Sequence, residues 1–119
     1  MLTCPPPSPL PTIAARVADL LRRRGETVAV AESSAGGLVA AALLAVPGAS
    51  AYFRGGAVVY SRRAMQALLG LEPRTLHGLR PESEPFAAHL AERVRELHHA
   101  SWGLGESGAA GPSDTPPGD

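Results

Sequence analysis

The chain has no lysine, one cysteine and few aromatic residues, which make up 4% of it. A single cysteine, Cys4, excludes an intramolecular disulfide and a thiolate metal cluster. The scarcity of rings argues against a base-stacking surface. An excess of one charge sign is also lacking. Eleven arginines balance 11 acidic residues, and the pI is about 6.9, so no global basic field draws nucleic acid. The longest apolar run, Leu38 to Pro47, is too short to span a bilayer. Met1 to Pro11 carries neither the basic n-region nor the apolar h-region of a secretory signal. These absences predict a cytoplasmic protein with neither a nucleic acid nor a membrane as partner. The four histidines, His77, His89, His98 and His99, have no zinc spacing with acidic residues and are expected to be solvated. No metal and no cofactor is expected.

What is present fits one small domain. The length is 119 residues and 45% of them are hydrophobic, near the globular norm. Residues 1–11 read as a flexible proline-rich leader, residues 12–112 as the domain, and residues 113–119 as a disordered tail. A first helix is predicted from Thr12, its N-cap, to Arg24. Ile13, Val17, Leu20 and Leu21 form its apolar face, and Gly25 takes the C′ position. Arg22, Arg23 and Arg24 suit the negative end of the helix dipole as a solvated terminus; a phosphate patch is the alternative. Thr27–Ala31 is short, continuous, apolar and β-branched, as in a strand covered on both faces. Leu38–Val46 reads as a helix stopped by Pro47-Gly48, and Gly55–Tyr60 as a second strand. Ser61 caps a helix over Arg62–Leu69 that Gly70 closes. Ser83 caps a helix from Glu84 to about Ala100, with Phe86, Leu90, Val94 and Leu97 as its buried stripe. Trp102–Gly105 reads as a third strand. Alternating strands and helices predict a layered α/β/α sandwich around a mostly parallel or mixed sheet.

Two loops follow strands. Glu32-Ser33-Ser34-Ala35-Gly36-Gly37 leads into a helix, where free N–H groups favour an anion. Gly36 and Gly37 clear space for a ligand or another backbone. Glu32 suits a ribose hydroxyl, an amide or a backbone N–H better than a phosphate. The loop is neither a P-loop nor a dinucleotide fingerprint, and an ordinary capped turn is the alternative reading. Ser107 to Pro112 is the second loop, able to present a concave run of N–H groups. Ser50 lies in a turn before the second strand and Tyr60 ends that strand. A serine needs a neighbouring base to become a nucleophile. Arg54, Arg62 and Arg63 cannot accept its proton.

Five segments together resemble one family. Ala31-Glu32-Ser33-Ser34-Ala35-Gly36-Gly37 is similar to the AESCTGG signature of the CinA carboxyl-terminal domain. Pro47–Phe53 resembles its G-S-S-x-x-F segment, and Val59-Tyr60-Ser61 its T/V-Y-S, with Leu69-Gly70 following at the family's spacing. Ser83-Glu84-Pro85 resembles its V-S-E-P, and Ser107–Pro112 its S-G-I-A-G-P loop. Active members are nicotinamide-nucleotide amidases, which hydrolyse the carboxamide of nicotinamide mononucleotide to nicotinate mononucleotide and ammonia in pyridine nucleotide salvage. The resemblance implies a small pyridine nucleotide as partner. It implies a serine nucleophile at Ser50 and an assisting tyrosine at Tyr60. It also implies a nucleotide pocket lined by Glu32, Ser33, Gly36, Gly37, Ser107, Gly108, Ala110 and Gly111.

The chain departs from the family pattern in three places. The family's lysine, five residues after the tyrosine, is here Met65, and a thioether is no base. Ser34-Ala35 stands where the signature has Cys-Thr. The family domain continues past the S-G-I-A-G-P loop with further strands and a closing helix, so the resemblance implies a sandwich missing its last strands and helix. The resemblance leads one to expect no counterpart, within these residues, of the pyrophosphatase domain that often precedes it. Three readings follow: an amidase, a catalytically silent homologue that binds a nucleotide or a protein, and a truncated remnant without a stable fold. A homo-oligomer is an open alternative to a monomer.

Overall fold

A computed structural model of the chain describes residues 9–108. The elements follow in the order α1 (Pro9–Arg24), β1 (Val28–Glu32), α2 (Leu38–Leu44), β2 (Phe53–Val58), α3 (Arg62–Leu69), α4 (Glu84–His98) and β3 (Trp102–Glu106). The strands form one parallel sheet in the order β2-β1-β3. All five residues of β1 are buried, because helices cover both faces of this central strand. Val28 and Val30 point toward α1 and α2, packing with Ala14, Ala18, Leu21, Leu43 and Tyr52. Ala29 and Ala31 point the other way, toward Met65, Leu69, Phe86, Leu90 and Val94 of α3 and α4. This is the expected α/β/α layering, and the sheet is parallel throughout.

Local signals set several boundaries. Ser61 accepts a hydrogen bond from Ala64 N (3.1 Å) at the start of α3, and Ser83 one from Phe86 N (3.4 Å) at the start of α4. At the end of α1, Gly25 N donates to Arg22 O and Glu26 N to Leu21 O, a Schellman closure. The three arginines there are engaged locally. Arg22 donates to Pro47 O (2.7 Å), Arg23 pairs with Asp19 (2.9 Å) and Arg24 with Glu26 (2.9 Å).

Several expectations are corrected. Helix α1 begins at Pro9, so Thr12 lies inside it and is no cap; prolines are tolerated in a first turn, whose N–H groups have no helical partner. Its buried positions are Ala14, Ala18 and Leu21, while Ile13 and Leu20 are exposed. The contact face is turned by about one residue (100°), which sets small alanines against the sheet. Strand β1 lies one residue later than expected, and α2 stops at Leu44. Strand β2 begins two residues early, because Phe53 pairs with Val28 across a register shift before Gly55 meets Ala29. Tyr60 therefore lies beyond the strand. Leu97 is exposed, since the chain turns at His99 and the buried place goes to Ala100. His98 is half-buried, not solvated; its Nδ1 lies 2.9 Å from Val94 O and its ring packs on the backbone of Gly55. Strand β3 runs one residue further than expected, to Glu106, and pairs with β1 along its length.

Helix α4 lies directly on β3. A Cβ at Gly103 would come within 2.0 Å of Ala91 O, and one at Gly105 within 2.3 Å of Ala87 O. Only glycine admits the helix backbone this closely. Gly103→Ala is expected to lower the unfolding free energy by about 2–3 kcal/mol, read as a lower urea midpoint at unchanged slope.

Candidate functional site

The carboxyl ends of parallel strands gather the chemistry in such a sheet. The connections after β1 and β2 leave for opposite faces, because α2 lies on one side and α3 on the other. The loop after Glu32 and the segment Val59-Tyr60-Ser61 leave the sheet side by side there, joined where Val59 N donates to Glu32 O (2.7 Å).

Glu32 ends β1 and is 1% exposed. Its carboxylate accepts from Val39 N and Ala40 N, both at 2.9 Å. These are orphan donors of the first turn of α2, whose N-cap residue, Gly37, has no side chain to offer. Glu32 thus caps the helix from the strand behind it. Gly36 (φ 64°) and Gly37 (φ 103°) are both left-handed, which turns the loop back far enough for that contact.

A second carboxylate completes the arrangement. Glu106, the last residue of β3, stands in register with Glu32. One of its oxygens accepts from Ser33 N (2.9 Å) and Ala35 N (2.8 Å); the other accepts from the Ser34 hydroxyl at 2.5 Å. Partial burial pushes the Glu106 carboxyl up. The Ser34 hydroxyl and the N–H groups of Ala35, Ser33 and Ser34 outweigh that and hold it below the usual glutamate range. Four N–H groups of the loop and the first turn of α2 are therefore not free for an anionic ligand: two internal carboxylates accept from Ser33, Ala35, Val39 and Ala40. The sequence reading passed over Glu106. The signal available was a repeat, for Glu-Ser follows both strands, as Glu32-Ser33 and as Glu106-Ser107.

The structure brings Glu32, Ser33, Gly36, Gly37, Tyr60, Ser107 and Gly108 to one edge of the sheet. A Cβ on Gly108 would lie 3.1 Å from Ser34 Oγ, so the two loops touch. The Ser107 hydroxyl is buried and meets no hydrogen-bond partner among the described residues. Tyr60 is 56% exposed. Ala110 and Gly111 lie outside the described residues. Ser50 lies elsewhere. It sits in a 3-10 turn, Ala49–Ala51, that precedes β2, whereas Tyr60 follows β2. The strand between them spans roughly 17 Å at about 3.3 Å per residue, so one chain holds Ser50 and Tyr60 at opposite edges of the sheet. Met65 is 3% exposed, with its thioether in the core between Val59 and Leu69. Among the described residues, no three His, Cys, Asp or Glu side chains converge as a metal site, and no helix is long and apolar enough to cross a membrane.

The Glu106 contacts carry a pH signature. Its carboxyl titrates lower folded than unfolded, so its stabilisation is full at neutral pH and is lost as pH falls through that lowered value. Glu106→Gln is expected to be less stable than the parent chain by about 1–3 kcal/mol at pH 7. The gap should close below the ordinary carboxylate range, as read by urea melts over a pH series.

Comparison with known proteins agrees with this architecture. The family model described as the CinA C-terminal domain matches residues 10–119. A CinA-like protein of Prochlorococcus marinus (strain MIT 9313) is 50% identical over 101 residues, which are 85% of this chain and 24% of that protein. One from Myxococcus xanthus (strain DK1622) is 46% identical over 106 residues, 89% of this chain and 25% of that protein. The chain thus spans about a quarter of the length of the curated relatives it matches. Among solved structures, the competence/damage inducible protein CihA from Agrobacterium tumefaciens superposes with a TM-score of 0.79 at 28% identity, covering 97% of this chain and 70% of that one. The competence damage-inducible protein A (ComA) from Klebsiella pneumoniae gives 0.71 at 31% identity, covering 76% and 56%. With its sequence motifs, its fold and this match over most of its length in agreement, the chain belongs to the CinA C-terminal domain family.

Proposed function

We propose that this chain is a pyridine-nucleotide amidase, hydrolysing the carboxamide of nicotinamide mononucleotide to nicotinate mononucleotide and ammonia. The observation that carries the reading is the meeting of two family motifs in space. The loop Ser33–Gly37 and the segment Glu106–Gly108 touch at the carboxyl edge of the sheet, the edge that also carries Tyr60. Ser33, Gly36, Gly37, Ser107 and Gly108 line the nucleotide pocket there, with Glu32 holding its floor. The nucleotide phosphate binds without the amides of Ser33, Ala35, Val39 and Ala40, which already have carboxylate acceptors. Carrying the family's pair onto Ser50 and Tyr60 requires a second copy of the chain, because β2 separates the two residues within one copy.

A second reading, a silent homologue that binds the nucleotide, is favoured by Met65. Its thioether packs in the core, so no amine serves as a base at that position. Product analysis separates the two readings. The purified chain is expected to release ammonia from nicotinamide mononucleotide and to form nicotinate mononucleotide, measured by a coupled ammonia assay and by chromatography of the nucleotides. Binding by calorimetry with no product would select the silent homologue.

A further inference from the structure

We propose that the outer face of α2 is a two-fold interface between copies of this chain, and that it brings Ser50 of one copy to the Tyr60 edge of the other. The interface is argued from the surface itself; the shared site rests on the amidase reading.

Helix α2 reads Leu-Val-Ala-Ala-Ala-Leu-Leu, without one polar side chain. A helix apolar on all sides belongs in an interior, yet only Leu43 is fully covered. Leu38 is 65% exposed and Leu44 53%, with Ala41 open between them. The patch continues onto the free edge of the sheet. Strand β2 has β1 on one side and, among the described residues, no strand on the other. Its Val58 is 48% exposed, and a groove lined by Leu44, Phe53, Gly56 and Val58 joins helix to strand. Scattered exposed leucines are ordinary, but a contiguous apolar patch marks a contact surface. No residue between Glu32 and Arg54 carries a charge, so two such faces meet without like charges between them.

The occupant follows from the symmetry of the pattern. A two-fold contact sets a patch against the same patch on the copy. With the axis at Ala41, α2 runs antiparallel to its copy and Leu38 faces the partner's Leu44. The small side chain at the centre lets the two helices approach to about 8–10 Å. Carried past the helix ends, the same pairing lays the loop Ser33–Gly37 beside the partner's turn Pro47–Ser50. Helix α2 leads from the carboxyl edge of the sheet to the amino edge. Reversing it puts the partner's Ser50 at the edge that holds Tyr60, which closes across the axis the gap that β2 imposes within one copy. Charge agrees with this arrangement. Arg54 is exposed and makes no ion pair among the described residues. It arrives with Ser50 at the edge where Glu32 and Glu106 end their strands. An unrelated protein on this face would cover the leucines but leave Ser50 and Tyr60 apart.

Cross-linking tests both parts without relying on turnover. The full chain, 12.3 kDa, is expected to sediment at twice that mass at micromolar concentration. Leu44→Glu alters an exposed position and should sediment as a monomer that still melts cooperatively. In a Cys4→Ser background, Ala41→Cys on the axis should form a disulfide with its copy under mild oxidant. In the same background, a short bismaleimide should join Ser50→Cys chains to Tyr60→Cys chains and neither kind to itself. Ser50→Ala and Tyr60→Phe chains, each inactive alone, should on mixing regain about a quarter of the parent's ammonia release from nicotinamide mononucleotide. Half of the dimers are then hybrids with one intact site each. A monomeric parent, or a dimer indifferent to Leu44→Glu and not cross-linked through Ala41→Cys, would overturn the interface. Failure of the Ser50→Cys and Tyr60→Cys chains to join, or an active parent whose mixed variants stay silent, would overturn the shared site. Both cross-links without ammonia from the parent would refute the amidase reading and leave the interface standing.

Discussion

Two glutamates in register at the ends of neighbouring strands set the terms for the carboxyl edge of this fold. Parallel strands stand about 4.8 Å apart, so Glu32 and Glu106 bring two like charges close together. Among the described residues, neither has an arginine partner in an ion pair. Each is met by main-chain N–H groups instead, from the first turn of α2 and from the loop before it. A carboxylate buried without donors costs several kcal/mol, so the loop must hold the conformation that supplies them. The left-handed pair Gly36-Gly37 makes that conformation accessible.

Close packing beneath the edge keeps those carboxylates where the loop can reach them. Glycine at 103 and 105 lets α4 rest on the backbone of β3, and Leu90 and Val94 of the same helix enter the core against β1. β3 is thereby pinned along β1, and Glu106 arrives beside the loop as a consequence of sheet register rather than of sequence proximity. The hydrogen bonds that satisfy Glu106 are the same ones that tie the loop after β1 to the end of β3.

The separation of Ser50 from Tyr60 has an equally simple cause. Ten residues that include a six-residue strand must run from one edge of the sheet to the other. A hydroxyl at the amino edge and a phenol at the carboxyl edge cannot cooperate inside one copy. Glu32, Ser33, Ser34, Tyr60, Glu106 and Ser107 share the carboxyl edge instead.

Much was legible in the chain itself. Ser61 and Ser83 announce their helices, because capping is a local hydrogen bond. The apolar runs at 27–31 and 102–105 announce strands, and their alternation with helices announces the layers. The tilt of α1 was not legible, since alanines at 14 and 18 bury themselves only once the sheet is there to receive them. The partner of Glu32 was narrowed to a hydroxyl, an amide or a backbone N–H, and tertiary structure chose the backbone N–H. Glu106 was unreadable as a site residue, because its importance depends on donors more than seventy positions away. Local sequence thus determined which segments become helices and strands, through periodicity and capping that act over a few residues. Which carboxylate meets which N–H was decided only when parallel pairing brought the strand ends together.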